Sequence, residues 1–446
     1  MKTIRILFIF LAASFFCGFN VYAKNPDTEN NKELSLDQVI NMAVTANHKI
    51  IISKIDVNAA LEAKKGAFAE FFPKLKTDYT YINIDDQQWT AFDDPVFGKA
   101  IPVEFGVSES YLWTVSAVQN IFTGLAVVTG YQIGTLQKEM SDIMAADMEL
   151  AVILEVKKAF FLVQNAKQLL AVEKRSVTSL KDHLSVAMEY YNVGLTPKID
   201  VLNAEVDLAE AYQLLEKAKN RLVVAKAALN NVIDIPIDKV IDTAGALEFK
   251  KFSTDYKECV AKAVKTRPGL KIAKKTIDIT KKQVRLARSK FYPNVAASLN
   301  YYRNGDDFDL DGTGYTNKDN WNVMVGVSWT FWEWGKTKHA VSKAKQGVEK
   351  ASIQLIKLED EIRFQVKKAF HDLRTAENNI NVAKKSVTSA DENLRISKER
   401  YKEQVAIITE VLDAETRLTR SETLLTTALN DYNVAMATLN WAMGLK

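Results

Sequence analysis

The sequence predicts a mostly α-helical, internally duplicated chain, in which long coiled-coil hairpins carry four β-strands suited to a membrane barrel shared between copies. Three observations lead there. Blocks of residues return 210 positions later, apolar residues recur every seven from Val156 to Tyr191 and from Val366 to Tyr401, and stretches between the helices alternate apolar with polar residues.

The chain of 446 residues opens with Met1-Lys2-Thr3-Ile4-Arg5, an apolar run from Ile6 to Phe16, and Val21-Tyr22-Ala23 before a polar stretch. That is the layout of a secretory signal over residues 1–23, with the mature chain starting near Lys24. Cys17 lacks the preceding small and Leu-like residues that lipid attachment requires, since Phe16 and Ser14 hold those places. With the leader removed only Cys259 remains, so no intramolecular disulfide can form. A formal charge of +4, evenly spread, gives no reason to expect nucleic acid. No run of 18 apolar residues follows the leader, so membrane crossing would fall to strands.

The duplication is explicit. Glu155-Val-Lys-Lys-Ala-Phe160 returns as Gln365-Val-Lys-Lys-Ala-Phe370, Ser176-Val-Thr-Ser179 as Ser386-Val-Thr-Ser389, and Val201-Leu-Asn-Ala-Glu205 as Val411-Leu-Asp-Ala-Glu415. Earlier, Phe71-Phe72-Pro73 faces Phe291-Tyr292-Pro293, and Ala43-Val44 faces Ala263-Val264. The mature chain therefore divides into a repeat over residues 24–234 and another over 235–446. The period is far too long for a solenoid.

Ser35 with Gln38 forms a capping box that opens the first helix. Val156, Val163, Leu170, Val177, Leu184 and Tyr191 then mark one heptad seam, and Val366, Leu373, Ile380, Val387, Leu394 and Tyr401 its counterpart, most with alanine three residues on. Small residues at one seam position let helices lie close. A helix from about Leu125 to Tyr191, and another from about Lys336 to Tyr401, would each run roughly 100 Å at 1.5 Å per residue. Gly194-Leu195-Thr196-Pro197 reads as a tight turn, with Thr196 as cap and Pro197 in the first turn of the returning helix. The seams alone fit a generic elongated coiled-coil protein equally well.

The clearest strand spans about 320–332, where Trp321, Val323, Val325, Val327, Trp329 and Phe331 alternate with Asn322, Met324, Gly326, Ser328 and Thr330. A weaker one spans about 109–122, and partners are expected over about 75–84 and 294–303, joined by long polar loops near 84–109 and 304–319. Aromatic ends and one apolar face suit a membrane barrel, although a soluble hairpin resting on a helix is the plain alternative. Four strands cannot close a barrel, and open edges are not tolerated in lipid. Two copies would supply eight strands and three would supply twelve.

Several motifs together resemble the TolC-like outer-membrane efflux proteins along nearly all of the mature chain. They are Leu34-Ser35-Leu36-Asp37-Gln38 with Ala43 and Asn47, Arg288-Ser-Lys-Phe-Tyr-Pro293 at a helix-to-strand junction, Gln119-Asn-Ile-Phe-Thr-Gly124, and Tyr191-Asn-Val-Gly-Leu195 before Asp200-Val-Leu202. The resemblance implies a homotrimer with a twelve-stranded barrel in outer-membrane lipid. Below it would run a twelve-helix periplasmic tunnel, meeting a periplasmic adaptor and, through it, an inner-membrane pump of RND or ABC type. It implies a pore gate at Tyr401, Glu410 and Asp413, with Asp200 as the first-half equivalent of Glu410, and an adaptor-binding tip at Val193, Gly194, Leu195 and Thr196. Two departures stand out: His48 occupies a usual proline position, and Gln404 replaces the glycine that Gly194 supplies, so the second tip is expected to turn differently. Read without the resemblance, Glu410 and Asp413 are solvated charges near a helix start, where acidic residues are favoured.

Trp321, Trp329, Trp332 and Trp334 are candidates for an interfacial aromatic belt, or for a packed corner beneath the barrel. Asp307-Phe-Asp-Leu-Asp-Gly312 begins like a calcium loop, but Lys318 stands at the twelfth place and a solvated loop is expected. The histidines His48, His183, His339 and His371 have no second ligand nearby in sequence, so no metal is expected. Cys259 reads as a buried core residue. No phosphate loop or nucleophile elbow is present, hence no enzyme and no cofactor is expected. The expected function is passive export through a channel in the outer membrane. The rival is a non-channel envelope coiled-coil interaction protein.

Overall fold

The computed structural model describes residues 33–85, 88–93, 96, 98, 100–105, 107–313 and 316–446. The leader expected over residues 1–23, with Cys17, lies outside them.

Each half begins with two helices separated by a single residue with extended ψ, Asn47 in the first half and Arg267 in the second. In the first half α1 (Leu36–Ala46) and α2 (His48–Ala69) meet at Asn47. The Ser35 capping box forms as expected, Gln38 N–H donating to Ser35 Oγ and Ser35 N–H to Gln38 Oε1. The first half continues with strands β1 (Lys74–Asn83), β2 (Gln88–Asp93), β3 (Ala100–Phe105) and β4 (Glu109–Thr123). Helices α3 (Ala126–Asn192) and α4 (Lys198–Val232) complete it. The second half runs α5 (Tyr256–Thr266), α6 (Pro268–Arg288), a single 3-10 turn Ser289–Phe291, β5 (Asn294–Gly305), β6 (Asp319–Ser328), α7 (Lys336–Lys402) and α8 (Ile408–Ala442).

Pro268 opens α6 at a position where a missing N–H costs nothing. His48 takes that place in α2 and uses the N–H that proline lacks, donating to Asp234 Oδ2 at 2.7 Å while its ring Nδ1 lies 2.8 Å from Oδ1. Both breaks are tied to the end of their own long hairpin. Asn47 Nδ2 donates to the Val232 carbonyl, and Arg267 Nη1 to that of Trp441.

The heptad seams are buried as their spacing requires. Val156, Val163, Val177, Ala159, Ala166 and Ala187 are buried in the first half, and Val366, Leu373, Ile380, Leu394, Tyr401 and four alanines in the second. Helices α3 and α7 have 67 residues each, or about 100 Å. Leu170, Leu184 and Val387 are half-buried, and Tyr191 is exposed; its neighbour Tyr190 turns inward, its ring 5.5 Å from that of Tyr401.

Four expectations need correction. The segment near 84–109 is not simply a loop, because β2 and β3 pair antiparallel within it. Strand β6 stops at Ser328, short of the expected 332, because its partner β5 begins at Asn294, directly after Pro293, which has no N–H to extend the ladder. Thr196 does not cap α4: Pro197 is the N-cap residue, and the buried Thr196 hydroxyl has no partner. Finally, the two tips turn alike. Gly194 has φ +78° and Gln404 φ +59°, and the closing bonds Leu195 N–H to Tyr190 O and Val405 N–H to Arg400 O correspond one to one. The tip geometry demands a left-handed residue, and glutamine supplies it with strain.

One rule describes how the halves meet. The sheet order is β1-β4-β5-β6, all antiparallel. Near the sheet the helices adjoin in the order α2-α3-α6-α7, and in the long hairpins α4-α3-α8-α7. In the sheet β4 meets β5, near the sheet α3 meets α6, and in the long hairpins α3 meets α8. The open ends are always β1, α2 or α4 on one side and β6 or α7 on the other.

Candidate functional site: the open sheet and the hairpin tips

The sheet has two chemically different faces. Directly paired residues share a face, so the register places Leu75, Ala117, Leu299 and Val323 in one row, and Tyr79 beside Trp113. Val295 with Val327, Ala297 with Val325 and Tyr301 with Trp321 complete the apolar side. The opposite side carries Lys76, Ser116, Asn300 and Asn322 in line, with Asn300 Nδ2 donating to Asn322 Oδ1 at 3.0 Å. Along β6 the apolar residues stand open, Val327 at 68% exposure, as no helix covers that face. Among the described residues no helix is long and apolar enough to cross a membrane. A sheet with one apolar and one polar face and two free edges is what a barrel wall requires.

The four tryptophans mark two levels. Trp321 sits near the loop end of β6, and Trp329 directly follows its helix end, about 26 Å away along an extended chain. Trp329 Nε1 donates to the Phe291 carbonyl, the rings of Trp332 and Trp334 meet edge to face 5.7 Å apart, and all four side chains are exposed. In the loop beyond, Asp309 N–H is held by Asp307 Oδ1, and Asp311 lies 3.7 Å from Arg303. Among the described residues no three His, Cys, Asp or Glu side chains gather to hold a metal ion.

At the other end of the molecule the tips present exposed aliphatic side chains, Val193 and Leu195 on the first, Val405 and Ile407 on the second. Sequence reasoning found the first pair; the second was legible only through the repeat. Tyr401 is buried with an unpartnered hydroxyl. Burial, then the neighbouring Asp200 carboxylate and Tyr190, push its pKa up to about 12. Burial also raises Asp200 above the usual carboxylate range. Glu410 is not free, because its Oε2 accepts from Arg400 Nη1 at 3.0 Å, a partner that sequence reasoning missed. Asp413 is exposed and close enough to Asp207 to raise it, behind burial and Glu210. Tyr401 and Asp200 are thus brought together, whereas Glu410 and Asp413 each face a different neighbour.

A polar cluster higher up the hairpins was also missed. Glu415, almost fully buried, accepts from Ser179 Oγ at 2.7 Å, with His183 Nε2 at 3.6 Å and Lys398 Nζ at 3.9 Å. Burial opposes its charge, but His183, Ser179 and Lys398 together hold its carboxyl below the usual range. This cluster links α3, α7 and α8 and so fastens one hairpin to the other.

These features have known counterparts. The sequence model of the family described as "Outer membrane efflux protein" matches residues 39–233 and 260–445, one match in each half. The outer membrane protein TolC of Escherichia coli is 24% identical over 424 residues, covering 92% of this chain and 82% of TolC. The outer membrane efflux protein BepC of Brucella suis is 21% identical, covering 64% of this chain and 61% of BepC. Among solved structures, the Campylobacter jejuni CmeC outer membrane channel superposes with a TM-score of 0.76 at 16% identity, covering 95% of this chain and 90% of that one. The open-state Neisseria gonorrhoeae MtrE outer membrane channel gives 0.75 at 16% identity, covering 92% and 89%. The matched family is one of channels rather than enzymes, its place is the outer membrane, and this duplicated chain belongs to it: it is a TolC-like outer membrane efflux protein.

Proposed function

We propose that three copies form one passive duct, whose twelve strands close a barrel in outer-membrane lipid while the hairpins continue the lumen through the periplasm. The observation that carries this reading is the four-stranded sheet, open at both edges and apolar on one face, rooted in two hairpins of about 100 Å. In this reading the tip around Val193, Gly194, Leu195 and Thr196 docks a periplasmic adaptor. The adaptor couples the duct to an inner-membrane pump of RND or ABC type. Exposed apolar side chains at both tips support such docking, since a solitary duct would have no use for them. Trp321, Trp329, Trp332 and Trp334 then mark the two lipid interfaces, spaced on the scale of the apolar band, about 25 Å, that outer-membrane barrels present. Residues 1–23 serve as the export leader and are removed.

The gate belongs to the same proposal. Tyr401, Asp200, Glu410 and Asp413 lie near the hairpin tips, where in a trimer three symmetry-related sets of carboxylates would repel one another and attract cations. Arg400 holds Glu410 in the arrangement described. The test is single-channel conductance of the detergent-purified protein in planar bilayers, after its mass has been measured. A trimer whose small conductance rises in the double variant Glu410→Ala, Asp413→Ala is the expected result. An unchanged conductance would remove the gate assignment, and a species that does not conduct would remove the duct and leave the coiled-coil interaction protein.

A further inference from the structure

The helix that leads up to the sheet in the second half is strongly basic. From Pro268 to Lys290 the chain carries eight lysines or arginines and a single acidic residue, Asp278. Five of these cations, Lys271, Lys274, Lys281, Arg285 and Arg288, recur at helical spacing and form one stripe along α6. All five are exposed, and among the described residues none stands in an ion pair. Packing does not call for them, because the matching face of α2, 220 positions earlier, reads Ile51, Lys54, Leu61, Lys65 and Phe68.

The hand of the chain decides which side of the wall the stripe occupies. Asn304 N–H donates to Lys318 O, so the even residues of β5 bond to β6, and its odd, apolar residues bond to β4. With the apolar face toward the viewer and the loops upward, L-residues on an ascending strand direct those bonds to the right, which sets β4 right of β5 and β6 left. Helices α7, α6 and α3 hang in the same order, left to right. A right-handed helix that ascends, as α6 does, passes from left across the near side to right. Gly269 lies against Leu358 of α7, whereas Lys275, Thr276 and Lys282 reach Glu139, Met140 and Gln132 of α3. Lys271 and Lys274 fall between these two contacts, and Lys281 directly before Lys282. The stripe therefore faces the viewer, on the side of the sheet's apolar face. The same geometry, taken from Leu358, turns Lys338 and Lys345 of α7 to that side, both exposed and outside any ion pair.

Resting on the barrel reading above, in which that face meets lipid, we propose that Arg285, Arg288 and Lys338 bind the phosphates of anionic phospholipids in the periplasmic leaflet of the outer membrane. Arg288 ends α6, Arg285 lies one turn below it, and Lys338 is in the first turn of α7. All three stand just beneath the strands, where the polar layer borders the hydrocarbon core. Arginines occupy the places on α6 nearest to the sheet, and a guanidinium grips a phosphate through two parallel hydrogen bonds where an ammonium offers a point charge. Lys281, Lys274 and Lys271 lie about 10 to 26 Å below Arg288, beyond headgroup contact, and add only a screened field.

Reconstitution tests this. Protein in nanodiscs of phosphatidylcholine, with a minor share of either phosphatidylglycerol or phosphatidylcholine brominated on its acyl chains, reveals enrichment of a lipid through quenching of its tryptophans. Brominated phosphatidylglycerol is expected to be enriched about fivefold over brominated phosphatidylcholine, the factor that one basic side chain near the headgroups supplies. High salt, or the triple variant Arg285→Gln, Arg288→Gln, Lys338→Gln, should abolish the preference, and Lys271→Gln, Lys274→Gln, Lys281→Gln should keep it. Equal quenching of the native protein by the two lipids would overturn the lipid site, leave the barrel standing and point the stripe toward an acidic periplasmic protein. A preference that survives the triple variant would overturn the assignment to these residues. Quenching by neither lipid would overturn the barrel reading as well.

Discussion

Glu415 shows what a single buried residue contributes to this molecule. A carboxylate shut away from water is tolerated only when donors and cations replace the lost hydration, and here Ser179, His183 and Lys398 do so. Glu415→Gln keeps the shape, removes the charge and should lower the unfolding free energy by about 1–3 kcal/mol, measured by thermal or denaturant unfolding. The pH dependence has a definite sign. The folded carboxyl lies below its unfolded range, so its stabilisation is complete above that range and disappears as acid protonates it. The gap between native protein and Glu415→Gln should therefore close as pH falls below about 4. Tyr401 behaves in the opposite sense, because its raised pKa keeps the buried phenol neutral through any ordinary pH. Burial raises the carboxyls of Asp200 and Asp207 above the usual carboxylate range.

Among the elements, the tips and the β6 strand make the sharpest claims. Both hairpin turns use a left-handed residue, glycine in one and glutamine in the other. A side chain in that conformation costs on the order of 1 kcal/mol, so Gln404→Gly should stabilise the second tip and Gly194→Ala destabilise the first by similar amounts. Hydrogen exchange of the tip amides, in particular Val405 and Leu195, would register both changes. For β6, variants keeping one tryptophan at a time, reconstituted with lipids brominated at known depths, should show Trp321 and Trp329 quenched most near opposite headgroup regions and little at the bilayer centre. Quenching of neither would place the strand outside lipid.

At the scale of the whole molecule, duplication determines more than the fold. A repeat that joins head to tail within the chain leaves unlike, complementary ends, and such ends generate rings when the rotation closes. The sheet, the upper helices and the hairpins all expose the same two ends, which is why one boundary can serve all three levels.

The sequence by itself determined the period-7 seams, the capping box at Ser35 and the alternating strands, because each depends on neighbours within a turn or two of chain, and the 210-residue repeat, because matching blocks can be compared directly. It therefore placed α3 and α7 to within a residue at each end. It could not show that Gln404 would be forced into a glycine's conformation, since that follows from where α7 ends and α8 must begin. Nor could it find Arg400 beside Glu410, or Ser179 and His183 around Glu415, partners up to 236 positions apart in the chain. The end of β6 was misjudged for a related reason, as a strand lasts only as long as the partner that pairs with it. Local periodicity is written in the order of residues; which ends stay open, and which charges meet, is decided only when the two halves pack against each other.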